Sequence, residues 1–277
     1  MTERMTKTVL PLKEQLIKKQ PLVHCITNPI SINDCANGLL AVGARPIMAE
    51  HPAEVAGITA SAKALMINLG NITDVRMSSM LIAGTQAHQD EIPCLIDLVG
   101  VTCSELRMNY AIRFVNNCHP CVIKGNFSEI LAFCGRSSHA AGIDAGEEDQ
   151  LCENNLEDRI RLFHDLAVRT DAVILITGRT DMIVSREEVL LCDNGTPVLS
   201  RLTGTGCMLG ALTAAFLTVG TPAEASAYAV CLMGIAGEQA AALSHGMGSF
   251  HTELINRLDL LTDHEVCSLA KLIFLPQ

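Results

Sequence analysis

Six short apolar runs recur along the chain, separated by helix-length segments, and this alternation limits the fold more than any other feature. They are LVHCIT, ARPIMAE, ALMINLG, PCLIDLVG, CVIKGN and AVILITG, beginning at Leu22, Ala44, Ala64, Pro93, Cys121 and Ala172. Runs this short and this apolar fit strands buried on both faces of a parallel sheet. The intervening segments carry helix start signals. HPAE at 51–54 and TPAE at 221–224 put Pro at the first helical position and Glu at the third, and TDHE at 262–265 is a further capping box. A mostly parallel sheet with helices on both faces follows.

The pattern changes after Gly178. DMIVSREEVLLCDNGTPVLSRL reads as antiparallel strands at one sheet edge, with Asn194-Gly195 as the hairpin signal. From Gly204 onward the sequence reads as almost entirely helical. Residues 135–150 form a Gly-rich polar stretch that reads as a surface loop. Neither a repeat nor a linker interrupts the chain, so residues 1–277 are expected to form one α/β domain.

Composition narrows the function classes. Of the residues, 49% are hydrophobic, yet the apolar runs are broken by Gly, polar or charged residues before reaching bilayer-spanning length. The first twenty residues mix charge and apolar side chains and lack the apolar centre of a secretion signal. A cytoplasmic protein that neither enters a membrane nor binds nucleic acid is expected. The net charge of −10 and an aromatic content of 3% argue against a nucleic-acid surface. The twelve cysteines are scattered through apolar segments and read mostly as small core residues. CHPC at 118–121 has half of a zinc spacing without a second pair to complete it.

In parallel sheets ligands bind beyond the carboxyl ends of the strands. The polar residues just past the apolar runs are therefore the candidates: Thr27 and Asn28, Met48 in its turn, Asn68, Asp97, Lys124 to Glu129, and Thr177. A seventh element joins them. Gly204-Thr205-Gly206 opens a small-residue helix whose first N–H groups have no partner inside the helix and whose dipole end is positive, a place for a phosphate. The same turn also reads as tight packing of a helix on the sheet. It is not a dinucleotide fingerprint, because the third glycine, Gly210, falls one residue late, and no Gly-Lys pair forms a P-loop.

Cys207 lies in the first turn of that helix, where a thiol pKa is expected to fall; alternatively it is one more small hydrophobe. Glu129 has two readings as well. It completes an Asn126 capping box, or with Asp97 it holds Mg²⁺ for phosphoryl transfer. Lys124, beside a glycine at a strand end, reads as a surface charge or an anion contact.

Together the segments PLVHCITN, GARPIMAEHPAEV, ALMINLG, CVIKGNFSEI, VILITGRTD, GTGCMLGAL and GSF occur in order from Pro21 to Phe250. This ordered set resembles the hydroxyethylthiazole kinases, thiazole-salvage enzymes of thiamine biosynthesis. The resemblance implies a ribokinase-like three-layer α/β/α fold and ATP-dependent phosphorylation of the primary hydroxyl of 4-methyl-5-(2-hydroxyethyl)thiazole. It implies Asn28, Met48 and Gly204 at the thiazole alcohol, and Lys124, Thr177 and Asn126 at ATP. Asp97 and Glu129 are implied at Mg²⁺, and Cys207 beside the reacting hydroxyl. It also implies a homotrimer with substrate sites at subunit interfaces. The chain departs from the family pattern at Leu98 and Met247, where Pro is usual, and at Lys124, more often Arg. A nucleotide-dependent dehydratase of damaged nicotinamide cofactors, NAD(P)HX, is the enzymatic alternative, disfavoured because that signature carries Asp where Cys207 stands. A catalytically weak thiazole- or nucleotide-binding protein is the non-enzymatic one.

Overall fold

The computed structural model describes residues 5–6, 9–137, 146, 151–152 and 155–275. Among these residues ten strands form a single sheet: β1 (Met5–Thr6), β2 (Leu22–Ile26), β3 (Arg45–Ile47), β4 (Ala64–Asn68), β5 (Cys94–Asp97), β6 (Val122–Asn126), β7 (Val173–Thr177), β8 (Asp181–Val184), β9 (Val189–Cys192) and β10 (Leu272–Leu275). Their spatial order is β1-β10-β9-β8-β7-β6-β5-β4-β2-β3. Pairing is parallel from β3 to β7 and antiparallel from β7 to β1. All six expected parallel strands are present, followed by the expected antiparallel edge.

Among the described residues eleven α-helices flank the sheet. On one side lie α1 (Lys13–Lys19), α2 (Ile32–Ala41), α8 (Thr205–Phe216), α9 (Pro222–Leu243) and α10 (Met247–Leu260), which share one apolar cluster with Val23, Met66, Leu95, Val122 and Leu175. α11 (Asp263–Leu269) contributes Val266 to that cluster. Across the sheet lie α3 (Val55–Ser61), α4 (Asp74–Gln89), α5 (Glu105–Cys118), α6 (Phe127–Phe133) and α7 (Leu156–Thr170), which share a second cluster with Leu65, Ile67, Ile96, Ile123 and Ile174. Successive strand residues face opposite layers, which is why continuous apolar runs were needed.

Four local expectations are corrected. At HPAE the His51 carbonyl accepts from the Glu54 and Val55 N–H groups, 3.0 and 3.2 Å, in a turn that delays the helix to Val55, so Glu54 stands at the N-cap, without a side-chain capping bond, instead of at the third helical position. The TPAE and TDHE capping boxes do form. The β8–β9 hairpin turns at Ser185–Glu188, where the Ser185 hydroxyl accepts from the Glu187 and Glu188 N–H groups at 3.1 and 3.0 Å. Asn194-Gly195 is not the hairpin turn because the Asn194 side chain binds the chain's far end. It donates to the Leu269 carbonyl (3.1 Å) and accepts from the Lys271 N–H (2.7 Å). That docking places β10, a strand inside the region expected to be helical. The fourth correction concerns apolar length. α9 is long and apolar enough to cross a membrane, but 72% of its most apolar window is buried, as befits a core helix. Most of the expected loop at 135–150 lies outside the described residues.

The buried Asp263 carboxylate ties α1 to α11. Oδ1 accepts from the Leu12 and Lys13 N–H groups, both 3.0 Å, and Oδ2 from Glu14 N–H at 2.8 Å, while the Tyr228 hydroxyl donates to Oδ1 at 2.5 Å. These are otherwise unpartnered donors of a helix start. Asp263→Ala is expected to lower unfolding stability by about 2 kcal/mol, measured by urea denaturation.

Candidate active site

The two-residue alternation of the strands assembles the site. Asn68, Asp97, Lys124 and Thr177 have the same parity as Met66, Leu95, Val122 and Leu175, so they face α8. Register then aligns them, with Asn68 opposite Asp97, Asp97 opposite Lys124, and Asn126 opposite Thr177. Gly204 caps α8 with φ +91°, a left-handed conformation that glycine adopts without strain. A Cβ there would also come 3.1 Å from the Ser31 Cβ.

Asp97, fully buried, is the centre of this group. Its Oδ2 accepts from the Lys124 ammonium at 2.9 Å and from the Asn68 amide at 3.3 Å. Its Oδ1 makes no hydrogen bond of ordinary geometry. Burial pushes the Asp97 carboxyl up, against the opposing pull of Lys124, the Val99 N–H and Asn68. Lys124 is 3% exposed and lies under the first turn of α8, its Nζ 3.8 Å from where a Gly206 Cβ would stand. Burial opposes its charge, but Asp97 beside it holds the ammonium above its ordinary range. The surface-charge reading of Lys124 is thereby removed.

Cys207 requires a correction. It is 7% exposed, and burial, followed by the nearby Asp97 carboxylate, pushes its thiol up rather than down. The helix N-terminus does not overcome that desolvation, so the thiol stays protonated at neutral pH. Its sulfur accepts the Asn68 amide at 3.3 Å.

Both readings of Glu129 meet in one geometry. It completes the Asn126 capping box of α6, its Oε2 accepting Asn126 N–H at 2.8 Å while Asn126 Oδ1 accepts Glu129 N–H at 2.9 Å. Its Oε1 accepts Gly100 N–H at 2.9 Å. Both carboxylate oxygens are therefore engaged by backbone, leaving only their second lone pairs for a cation. Burial first and Asp97 second push this carboxyl up to about 7. Among the described residues no group of three or more His, Cys, Asp or Glu is arranged to hold a metal ion, CHPC included.

The remaining candidates lie around this centre. Asn28 is half-buried, and its Nδ2 lies 2.7 Å from where a Gly70 Cβ would stand. Met48 is half-buried against the α8-side core. The half-buried Thr177 points its hydroxyl toward the Gly125 carbonyl at 3.5 Å. Two residues outside the sequence candidates shape the same edge. The Arg107 guanidinium donates to the Leu69 and Gly70 carbonyls, fixing the loop after β4. Asp181 at the head of β8 accepts Gly178 N–H at 3.0 Å, and burial pushes its carboxyl up to about 7. Asp181 stands in the quoted run VILITGRTD, but a strand-end rule overlooks it because it opens an antiparallel strand.

The chain is similar to known proteins along most of its length. A family model described as "Hydroxyethylthiazole kinase family" matches residues 13–264. "Hydroxyethylthiazole kinase 2" of Clostridium botulinum (strain 657 / Type Ba4) is 48% identical over 254 residues, covering 92% of this chain and 96% of that protein. The solved hydroxyethylthiazole kinase protein from Pyrococcus horikoshii OT3 superposes with TM-score 0.85 at 31% identity, covering 95% of this chain and 97% of that one. A ribokinase-like superfamily protein from Enterococcus faecalis V583 shares the fold at TM-score 0.59 and 16% identity, over 93% of this chain and 91% of that one.

Proposed function

The chain belongs to the hydroxyethylthiazole kinase family, and on that premise we propose how its sheet edge transfers a phosphoryl group from ATP to the primary hydroxyl of 4-methyl-5-(2-hydroxyethyl)thiazole in thiamine salvage. The observation carrying this reading is the convergence of Asp97, Lys124, Asn68 and Cys207 beneath the first turn of α8. The thiazole alcohol lies between Asn28, Met48 and Gly204, with its hydroxyl at the Cys207 sulfur. The terminal phosphate of ATP faces the free N–H groups of α8, and Lys124 neutralises its outer oxygens. Thr177 and Asn126 border the nucleotide along β6 and β7.

Phosphoryl transfer depends on alignment and charge stabilisation more than on a strong base. That suits a protonated thiol. Cys207 orients the hydroxyl; as its oxygen bonds to the γ-phosphorus and the bond to ADP breaks, the alcohol proton passes late to an oxygen of the transferred phosphoryl group. A bound Mg²⁺ would supply neutralisation of phosphate charge, and the Asp97 Oδ1, which has no hydrogen-bond partner, is the oxygen that would hold it, with Glu129 fixing the loop behind.

Cys207→Ala removes one neutral hydrogen bond to the alcohol and is expected to lower kcat about tenfold. Cys207→Asp should keep or raise kcat, since a carboxylate there both orients the hydroxyl and accepts its proton. A folded but inactive Asp variant would remove Cys207 from the reacting hydroxyl.

The test of the activity itself is coupled ADP release with and without the thiazole alcohol. Alcohol-dependent release supports the kinase. Turnover only with a hydrated nicotinamide cofactor would support the dehydratase, and binding without turnover a sensor. We further assign the protein to the cytoplasm as a homotrimer with substrate sites at subunit interfaces. Ile30, 69% exposed two residues from Asn28, supports an interface there. Light scattering in solution measures the assembly.

A further inference from the structure

Resting on the kinase reading above, the geometry points to Asn68 as a positioning residue for phosphoryl transfer. Its amide holds the Cys207 thiol and the Asp97 carboxylate in one arrangement around the alcohol.

Asn68 ends β4 and is fully buried. A buried amide must satisfy both its oxygen and its nitrogen, and here each has a distinct partner. The oxygen accepts Gly70 N–H at 2.8 Å. That bond requires an oxygen, so it fixes which way the amide lies. Both amide hydrogens are then directed at Cys207 Sγ and Asp97 Oδ2, each 3.3 Å away. Because the sulfur accepts a hydrogen bond from Asn68, the thiol's own hydrogen must point elsewhere. Asn68 thereby links the thiol and the carboxylate through the two hydrogens of one amide.

The amide is itself held from behind. A Cβ on Gly70 would come 2.8 Å from Asn68 Oδ1 and 2.7 Å from Asn28 Nδ2, and Arg107 fixes the Leu69 and Gly70 carbonyls from the opposite side. One bare backbone position therefore sets the placement of Asn28 at the alcohol and of Asn68 behind Cys207.

Steady-state ADP release by the full chain tests this with Asn68→Ala, the near-isosteric Asn68→Asp, which lacks the NH2 pair needed to bond both partners at once, and Gly70→Ala, which keeps the amide but displaces it. Each is expected to lower kcat about tenfold, the scale of one or two net hydrogen bonds, with the KM for ATP within about twofold of the parent. In a Cys207→Ala background, Asn68→Ala should cost no more than about threefold, because a residue acting through the thiol has little left to position. A full tenfold loss in both backgrounds overturns the inference, as does an unchanged kcat in the single variants or a loss confined to the KM for ATP. Should Asn68→Ala fail to fold, Asn68→Asp alone and combined with Cys207→Ala carries the same comparison. If the unmodified chain releases no ADP with the alcohol, the kinase reading fails and this role falls with it. Alcohol-dependent release with multiplicative variants sinks only the role of Asn68.

Discussion

Asp97→Ala is expected to lower kcat by about 10²–10³-fold, the scale of losing one preorganised electrostatic group, with little change in the KM for the alcohol. The same substitution should lower unfolding stability by about 3–5 kcal/mol, because it strands the Lys124 ammonium in the interior without its partner. The two effects separate in Asp97→Asn. An amide oxygen still accepts from Lys124, so the fold is largely retained, while the negative charge at Oδ1 is lost and kcat falls nearly as far. ADP release and urea unfolding on both variants give the comparison. Normal turnover by Asp97→Asn would remove the carboxylate's charge from the mechanism.

Unliganded stability is expected to fall as pH rises through neutrality, by about 3 kcal/mol at most for Glu129. The direction follows from where the carboxyl sits. Its folded value of about 7 lies above the ordinary 4.5, first because it is buried and then because Asp97 faces it. The folded chain therefore holds this proton more tightly than the unfolded chain. The penalty is absent below about pH 4.5, grows between the two values, and is complete above about pH 7. Asp97 and Asp181 are pushed the same way, so they add to the slope rather than cancel it. Urea unfolding at intervals from pH 5 to 8 should show the decline, and Glu129→Gln should flatten it. A stability profile that climbs over this range would contradict the burial of these carboxylates.

The parallel half of the fold was legible because its signal is local. Each of its six runs was short, apolar and bounded by polar or glycine residues, and each became a strand. What escaped prediction depended on distant partners. Asn194-Gly195 has the composition of a hairpin turn, yet Asn194 is occupied by Leu269 and Lys271 from the other end of the chain. No local pattern announces such a bond. β10 was missed for the same reason, since LIFL gains its identity by pairing with the distant β9 and β1. At the site, the strand-end rule located Asn68, Asp97, Lys124 and Thr177 without knowing their partners. It could not weigh burial, so it misjudged Cys207. Burial, with the Asp97 carboxylate second, pushes the thiol up, where a helix start read from sequence suggests the reverse.

The face shared by Asn68, Asp97 and Lys124 gives the sheet something like a reading frame. Deleting one residue from the body of β5 would carry the Asp97 carboxylate across to the layer occupied by Phe114 and Ile123, and would turn an aliphatic side chain toward the ligand. Substitutions along these strands can be absorbed one position at a time, but changes in their length cannot. Variation in chain length among active relatives should therefore be confined to the loops between the strands and helices.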